Sequence, residues 1–379
     1  MEDSINNSIL DKVMEISSER ELSSFDPVEI VSELFRSLSS REQDILRRRF
    51  GLHGKGNETL EEIGKGYNVT RERIRQIENT AIKNMKSGDG FVDAVRPVEA
   101  VVVESLDRHG GVMAEDHLLD FLLNTSSKET AARAHLLFLL EKLTSDRIIR
   151  EQEPHTHPSW RLDVATWEKL HATVGEMISI LENHGAPLTE EDLLTHFTKT
   201  GTYSAHREHF GFDEDSMDPI VAHIRASQKL ATNSFGEWGL VHWNTITPKR
   251  MGDKIYLIMK KHEKPLHFRE ITDRINNAGF DQKRAYPPTV HNELILDTRY
   301  VLVGRGIYAL REWGFIPGVV SDVIAEILKK SPEPMDRDAI VDEVLKQRMV
   351  KKGTIYLALS NQGRFVRASD GRYSVSESA

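Results

Sequence analysis

The sequence predicts a mainly α-helical chain, in which an all-helical N-terminal segment precedes about four small α+β repeats. Three observations predict this fold class. Residues 27–88 show helical periodicity only, with apolar residues three to four positions apart. From about residue 97 onward the chain shows a loose repeat of roughly 60–75 residues. Each repeat closes on a strand, a turn and a second strand, mostly with an aromatic residue in the second strand.

Composition bounds the class of protein. The chain has 379 residues, of which 39% are hydrophobic and 29% charged, and its length predicts two to four domains. It contains no cysteine, which excludes disulfides, thiolate zinc sites and thiol nucleophiles. We find no apolar run of the roughly 18–20 residues that a membrane span needs. The acidic, polar N-terminus is not typical of a signal peptide, so we expect a cytoplasmic protein.

Charge is distributed unevenly along the chain. The formal net charge is −9, which is unusual for a nucleic-acid-binding protein. Residues 28–86, however, contain 12 Lys and Arg against 9 Asp and Glu, a local charge of +3. The remaining residues then carry a net charge of −12. The basic excess therefore lies in the all-helical segment, which makes that segment the first candidate for an anionic partner.

The N-terminal segment divides into a tail and a series of capped helices. Residues 1–26 are polar with weak periodicity and predict a flexible tail. Asp26 before Pro27 is typical of a helix start, and Ser39 or Ser40 begins the next helix.

Two further caps frame a pair of helices joined by a short turn. Thr59 stands three residues before Glu62, the spacing of a capping box, and opens a short helix. Thr70 opens a longer helix whose apolar positions recur every three to four residues. Two helices joined in this way, with the second long and polar on one side, are typical of a helix-turn-helix domain.

Four sequence runs carry a resemblance to a known family. In chain order they are LSSRE (38–42), RRRFGL (47–52), TLEEIG (59–64) and VTRERIRQIE (69–78). With this order and spacing, residues 27–88 resemble region 4 of the bacterial sigma-70 family, a helix-turn-helix domain. The resemblance covers about 60 residues, less than a fifth of the chain.

The resemblance implies that the helix after Thr70 inserts its first turns into the major groove of double-stranded DNA. Alternate residues of a helix do not share a face, so Arg71, Arg73 and Arg75 serve different partners. The family positions that read bases of the −35 promoter element correspond to Arg71, Glu72, Arg75 and Gln76. The positions expected to contact phosphates correspond to Arg41, Arg49, Thr59, Thr70, Arg73 and Lys83. Arginine suits guanine, glutamine suits adenine, and glutamate can accept a hydrogen bond from cytosine.

The same resemblance implies a protein partner. Region 4 of sigma factors also docks on the flap of the polymerase β subunit through apolar surface, so RNA polymerase core is an expected partner. A full sigma factor carries domains before region 4 that bind the polymerase clamp and melt the −10 element. Because only some 26 residues precede the segment here, we expect that this chain does not melt promoter DNA in the sigma manner.

The repeats after residue 90 each predict three helices followed by a hairpin, which is the plan of a winged helix. Their predicted bounds are 97–163, 167–244, 248–315 and 317–376. The third and fourth are the clearest in sequence, whereas the first two are degenerate. In the third, the runs at 265–279 and 290–314 resemble the HARE-type winged helix found in the RNA polymerase delta subunit, a family thought to contact DNA or polymerase.

Basic residues of the last two repeats fall at the start of the third helix or on the wing. The candidates for secondary nucleic-acid contacts are Lys283, Arg284, Arg305, Lys351, Lys352 and Arg364. A solvated basic patch explains them about as well. The second repeat instead carries acidic runs at 190–192 and 213–215, so we expect the first two repeats to bind protein or to brace the array.

No motif indicates an enzyme, a cofactor or a small-molecule substrate. The pairs His155/His157 and His206/His209 lack a third ligand at the usual spacing, and we predict no metal site. The chain lacks the phosphate-cradling and nucleophile-elbow motifs.

Three functional hypotheses follow from the sequence. The leading one is a DNA-binding transcription factor that recognises −35-like promoter DNA and contacts RNA polymerase during initiation. The second is a delta-like subunit associated with RNA polymerase that acts mainly through protein contacts. The third is a DNA module linked to restriction or defence, which no nuclease motif supports.

Overall fold

A computed structural model describes residues 26–123, 130–210, 217–361 and 363–376, without the side chain of His209. The predicted tail therefore lies outside the described residues except for Asp26, and so does the acidic run at 213–215. The described chain is mainly helical with small antiparallel sheets, as the sequence predicts.

The N-terminal segment folds into four helices. They are α1 (Pro27–Leu34), which continues as a 3-10 turn over Phe35–Ser37, α2 (Ser40–Arg49), α3 (Leu60–Tyr67) and α4 (Arg71–Lys86). The predicted caps are confirmed: Asp26 accepts hydrogen bonds from the N–H groups of Val28 and Glu29, and Ser39 forms a capping box with Glu42. These caps satisfy N–H groups that a helix start leaves without a partner.

The turn between α3 and α4 depends on a glycine and a left-handed residue. The helix α3 runs through Gly64 to Tyr67, and Asn68 ends it with φ of 56° and ψ of 39°. A Cβ atom on Gly64 would lie 2.7 Å from the Val69 carbonyl oxygen. Since only glycine tolerates so close an approach, Gly64 fixes how tightly α4 packs against α3.

The first repeat, here called copy 1, has the complete winged-helix order. Its elements are α5 (Phe91–Arg108), β1 (Val112–Ala114), α6 (Glu115–Leu122), α7 (Thr130–Lys142), β2 (Ile148–Glu151) and β3 (Ser159–Leu162). The strands form an antiparallel sheet in the order β1-β3-β2. The first helix begins at Phe91, six residues before the predicted start of the domain, and passes through Pro97.

The second repeat, copy 2, has additional short helices. Its elements are α8 (Trp167–His184), α9 (Glu190–Phe197), α10 (Gly201–Ala205), α11 (Arg207–Phe210), α12 (Asp218–Ala226), β4 (Leu230–Thr232) and β5 (Trp238–Leu240). In the place of a first strand, Leu188 forms a single antiparallel bridge with Trp238.

The third and fourth repeats, copies 3 and 4, follow the same order. Copy 3 consists of α13 (Met251–His262), β6 (Leu266–His267), α14 (Phe268–Ala278), α15 (Pro287–Leu296), β7 (Tyr300–Gly304) and β8 (Ile307–Leu310), with the sheet order β6-β8-β7. Copy 4 consists of α16 (Val320–Lys330), α17 (Arg337–Gln347), α18 (Lys352–Leu359), β9 (Phe365–Arg367) and β10 (Tyr373–Val375). Its first strand is reduced to a bridge between Met335 and Tyr373, so copies 1 and 3 have the fuller sheets.

The chain divides into two compact units. The first comprises the chain up to Gly185 and Glu190–Ala231, and the second comprises Ala186–Thr189 and 232–379. Within the first unit, one hydrophobic core runs from the N-terminal helices into copy 1, including Phe35, Leu38 and Phe138. The predicted boundary near residues 88–97 therefore does not separate two independent cores.

Candidate nucleic-acid interface

The helix α4 presents a broad polar surface. Ten of its sixteen residues are exposed, while Ile74, Glu78, Ala81 and Met85 are buried against the rest of the domain. The buried residues recur at three to four positions, so they form one face of the helix. The opposite face is left to solvent, as a groove-inserted helix requires.

The alternating arginines separate onto two flanks of this face. Arg71 and Arg75 are one helical turn apart and therefore lie on the same side of α4. Arg73 lies about 160–200° away around the helix axis, on the other flank. Gln76 and Glu72 occupy the arc between these flanks, which faces away from the core. The helix geometry thus places Arg71 and Arg75 on one flank of the exposed face and Arg73 on the other.

Two of the predicted base-reading residues form an ion pair with each other. The Arg75 guanidinium donates two hydrogen bonds to the Glu72 carboxylate, at 2.9 and 2.6 Å. This contact holds the pKa of Glu72 below its usual range and raises that of Arg75. Both side chains are more than half exposed, so the pair orients them without contributing much to stability.

The other two arginines in the first turns of α4 differ in their side-chain contacts. Arg73 donates to the Gln76 side-chain oxygen at 3.2 Å. Arg71 is exposed and forms no hydrogen bond or ion pair with another described residue. Of the predicted base-reading residues, Arg71 is therefore the one that can reach a DNA base without first breaking a side-chain hydrogen bond.

The two threonines predicted to contact phosphates serve first as helix caps. The Thr70 hydroxyl accepts a hydrogen bond from the Arg73 N–H at 3.2 Å. The Thr59 hydroxyl accepts from the Glu62 N–H and donates to the Glu62 carboxylate at 2.8 Å. Both residues are exposed at helix N-termini, where a phosphate is favoured by the helix dipole.

Arg41 is held by aromatic stacking that the sequence did not indicate. Its guanidinium lies over the Tyr67 ring, 5.0 Å from the centroid, and the Tyr67 hydroxyl donates to Asp44 at 2.6 Å. The contact fixes Arg41 on the exposed side of α2 beside the end of α3. A guanidinium fixed in this way loses less conformational entropy when it binds a phosphate.

Arg49, another predicted phosphate contact, lies at the end of α2 and forms contacts within the domain. Its side chain is half-buried, with Nε 3.5 Å from Glu78 of α4 and Nη1 donating to the Glu58 carbonyl oxygen at 3.3 Å. Glu78 is itself buried and needs a cation to offset its charge. Arg49 thus joins α2 to α4, and we omit it from the interface for this reason.

The far end of α4 adds two polar residues. Lys83 is exposed, about 18 Å along the helix axis from Arg71, which is too far for the same base pairs and suits a phosphate wall. Asn79 is also exposed and lies one turn beyond Arg75 on the same flank. Sequence reasoning missed Asn79, although its spacing of four from Arg75 would have indicated it.

The third helix of copy 1 has no comparable surface. Only Thr130 and Glu141 of the thirteen residues of α7 are exposed. Phe138 packs against Phe35 and Phe50, with ring centroids 5.9 and 4.8 Å apart. The helix that reads DNA in many winged helices is therefore used here to brace the N-terminal segment.

The residues predicted to make secondary nucleic-acid contacts lie at several separate places in the second unit. Lys283 and Arg284 line an open cavity of about 550 Å³ that also contains the acidic Asp273 and Asp281. Arg305 is exposed in the turn between β7 and β8, and Lys351 and Lys352 are exposed at the start of α18.

Arg364 is engaged within its own copy. It donates to Asp322 at 2.8 Å and to the Ser321 hydroxyl at 3.1 Å, both on α16. We therefore omit Arg364 from the candidate surface, because its charge is already compensated by a carboxylate.

The residues that the structure describes include neither a cluster of metal ligands nor a membrane-spanning helix. No group of three or more His, Asp or Glu side chains is arranged there to hold a metal ion. No helix among those residues combines the length and apolar character needed to cross a bilayer.

Comparison with known proteins identifies the N-terminal helices. Residues 34–87 match the family model of sigma-70 region 4. The predicted resemblance is thus confirmed for this segment. The residues that carry it are those whose caps and exposed face are described above.

The relatives found by similarity are sigma factors. The RNA polymerase sigma factor SigA of Nostoc is 52% identical over 58 residues, which is 15% of this chain and 15% of the relative. The sigma factor RpoD of Neisseria gonorrhoeae is 47% identical over 58 residues, covering 15% of this chain and 9% of that protein. SigA1 of Synechococcus elongatus is 56% identical over 50 residues, covering 13% and 12%. The chain thus spans only a small part of each relative.

Proposed function

We propose that this protein is a non-enzymatic transcription factor whose region 4-like domain recognises −35-like promoter DNA at initiation. The observation that carries the proposal is the exposed face of α4, where Arg71, Glu72, Arg75 and Gln76 surround the N-terminal turns. A helix whose first-turn side chains are polar and exposed fits the major groove end-on. The sigma-factor relatives of residues 34–87 support the same reading. We expect the protein to act in the cytoplasm, on nucleoid DNA.

The side chains of α4 have separate roles in this proposal. Arg71 and Arg75 donate to guanine O6 and N7, and Gln76 pairs with adenine. Glu72 accepts a hydrogen bond from cytosine N4 and keeps Arg75 oriented. Arg41, Thr59, Thr70, Arg73 and Lys83 contact phosphates and hold the register without reading sequence.

Equilibrium binding to labelled duplexes tests this proposal. The unmodified chain binds a −35-like duplex more tightly than a scrambled duplex of the same length. Arg71→Ala and Arg75→Ala each weaken the preferred complex roughly 5- to 150-fold and reduce the difference between the two duplexes. The control is Arg36→Ala, which removes an exposed charge of the same domain outside α4. Unchanged binding and preference in both α4 variants would rule out base reading by this helix.

The proposal includes a contact with RNA polymerase core, including the β flap. The kind of surface that makes this contact differs from the one that the sequence suggested. The sequence suggested an apolar docking surface on residues 27–88. No large apolar side chain of that described segment is exposed, and Phe35 and Leu38 lie in the core shared with copy 1. We therefore expect polar contacts with polymerase, weakened by salt. Co-purification with core polymerase at increasing salt and without DNA tests this; a complex that resists 1 M salt contradicts it.

The alternative is a delta-like subunit that acts mainly through protein contacts. The net charge of −9 favours it, because a polyanionic surface competes with nucleic acid for basic sites. Copy 3, in which we predict a HARE-type domain, would then be the part that contacts polymerase. Binding of core polymerase that survives Arg71→Ala and Arg75→Ala, in a chain that fails to bind promoter duplex, would favour this alternative over the first.

A further inference from the structure

The hairpin of β7 and β8 forms the wing of copy 3. It is joined by main-chain pairing to the residues just before α18 in copy 4. Met349 pairs with Gly304 in a parallel bridge, and the Met349 N–H donates to the Val303 carbonyl oxygen at 2.7 Å. A Cβ atom on Gly304 would lie 3.0 Å from the Met349 carbonyl oxygen, so the glycine permits this approach. The bridge also covers the end of β7, an edge strand of its sheet.

A buried arginine holds this junction together. Arg348 is 3% exposed, and its guanidinium donates to the carbonyl oxygens of Ile316 and Gly318 in the segment that connects the two copies. The Gln347 side chain accepts from the Ile316 N–H at 2.9 Å. Burial of a guanidinium costs free energy unless it is hydrogen-bonded. Because breaking these contacts would leave Arg348 buried without partners, they stabilise the junction in this arrangement.

The parallel direction of the bridge brings basic residues of both copies to one place. Beyond Gly304 and Met349 the two chain segments leave the bridge in the same direction. Arg305 is the next residue on one segment, and Lys351 and Lys352 follow two and three residues later on the other. Chain geometry limits the Cα atoms of Arg305 and Lys351 to a separation of about 16 Å.

These three cations are uncompensated. Each is exposed, and none forms an ion pair with another described residue. Other basic residues of the same unit are paired, such as Arg299 with Asp297 at 2.6 Å and Lys346 with Glu343 at 2.7 Å. In a chain of net charge −9, a group of unpaired cations marks a surface that attracts an anionic partner.

We propose that Arg305, Lys351 and Lys352 form one composite surface that binds the phosphate backbone of double-stranded DNA. The inference rests on the proposed function, which supplies DNA as the polyanion. Each strand of the duplex carries one phosphate per about 3.4 Å of helix axis, so cations within about 16 Å of one another can contact more than one phosphate. Tyr356 is the aromatic residue of α18, and the Arg337 guanidinium lies 4.9 Å from its ring centroid. Single-stranded DNA is bound by stacking of bases on free rings, and a ring with a guanidinium over it suits this less well, which favours duplex DNA as the ligand.

The salt dependence of DNA binding by the full chain tests this proposal. The variant Arg305→Gln/Lys351→Gln/Lys352→Gln is compared with a control, Lys329→Gln/Lys330→Gln/Lys346→Gln, which removes three lysines elsewhere on copy 4. Each phosphate contact contributes about −0.9 to the slope of log K against log salt concentration, so the first variant reduces the magnitude of the slope by about 2–3 and the control leaves it unchanged. An equal slope in the first variant and the unmodified chain, or an equal loss in the control, overturns the proposal.

Footprinting tests whether the surface is composite. Hydroxyl-radical protection of a long duplex is compared for Arg305→Gln and for Lys351→Gln/Lys352→Gln, with circular dichroism to verify folding. Both variants lose protection at the same run of about five nucleotides and keep protection at the −35-like site. Losses at two separate runs contradict a shared surface. An unmodified chain that binds no duplex contradicts the proposed function itself, a result distinct from both of these.

Discussion

The helix α4 is the last helix of the N-terminal segment and α7 is the last helix of copy 1, yet they have opposite surfaces. In α4 ten of sixteen residues are exposed, and the arginines of its first turns face solvent. In α7 two of thirteen are exposed, and Phe138 lies between Phe35 and Phe50. The last helix of a three-helix unit can therefore be exposed or packed, and its place in the chain does not by itself provide a surface for DNA. Its outward residues must also be polar and free of packing.

The most disruptive test of this comparison is Phe138→Ala in α7. Removal of a buried aromatic side chain leaves a cavity at the contact between copy 1 and the N-terminal helices, and we expect a loss of about 3–5 kcal/mol in the free energy of unfolding. Urea denaturation measures it, with Thr130→Ala, exposed on the same helix, as the control. A loss below about 1 kcal/mol would mean that α7 is not the brace described here.

On the other helix, Arg71→Ala should weaken DNA binding without affecting the fold. Arg71 is exposed and unpaired among the described residues, so its removal leaves no buried group without a partner. We expect a loss of roughly 5- to 150-fold in affinity for the preferred duplex and no change in the urea midpoint. A shift of that midpoint comparable with the Phe138→Ala shift would show that the two helices are not functionally distinct.

Copy 1 contains a buried histidine, His117, that should make the stability of the fold depend on pH. Burial lowers the pKa of His117 to about 4, aided by the nearby Arg225 and by His109, while Asp120 and Asp218 act in the opposite direction. The unfolded chain, with a pKa near 6.5, then binds more protons than the fold between these pH values. Stability therefore falls by about 1–3 kcal/mol as the pH decreases from 6.5 to 4.

Urea titrations at several pH values check this expectation, with His117→Leu as the variant that lacks the titrating ring. The variant should lose most of the decrease over this pH range. If the variant retains the whole decrease, His117 is not its source. An exposed histidine such as His53 provides the control, because His53→Gln leaves the buried group in place.

The smallest expected effect concerns the start of α4. Thr70→Ala removes the hydroxyl that accepts from the Arg73 N–H and should cost about 1 kcal/mol in stability. Thr70→Ser keeps the cap and should behave as the unmodified chain. If both substitutions have the same effect, the hydroxyl is not the source of the stabilisation.

Local signals in the sequence predicted most of the N-terminal segment. Thr59, Glu62 and Thr70 carry their caps within three residues, and such short-range patterns are read directly from sequence. Contacts between distant residues could not be read in this way. The burial of Arg49 against Glu78 and the stacking of Arg41 on Tyr67 join separate helices, and no local spacing indicates them.

Domain limits were harder to predict for the same reason. The hydrophobic pattern of α7 indicated a helix but not its neighbour, and its packing against Phe35 and Phe50 merges two predicted domains into one core. The junction around Arg348 could likewise not be predicted from the sequence, because it depends on hydrogen bonds to carbonyl oxygens about 30 residues earlier. Composition reports how much apolar surface a segment has, but not which segment covers it.

Selection of preferred duplexes from a randomised pool tests directly whether α4, and not α7, reads the DNA sequence. The unmodified chain, Gln76→Ala on α4 and Arg133→Ala on α7 are compared at one salt concentration. Arg133 is paired with Asp116 and Asp120 within copy 1. We predict that Gln76→Ala relaxes the preference at one or two adjacent base pairs, whereas Arg133→Ala leaves it intact. An altered preference with Arg133→Ala and an unaltered one with Gln76→Ala would show that α7, and not α4, reads the sequence.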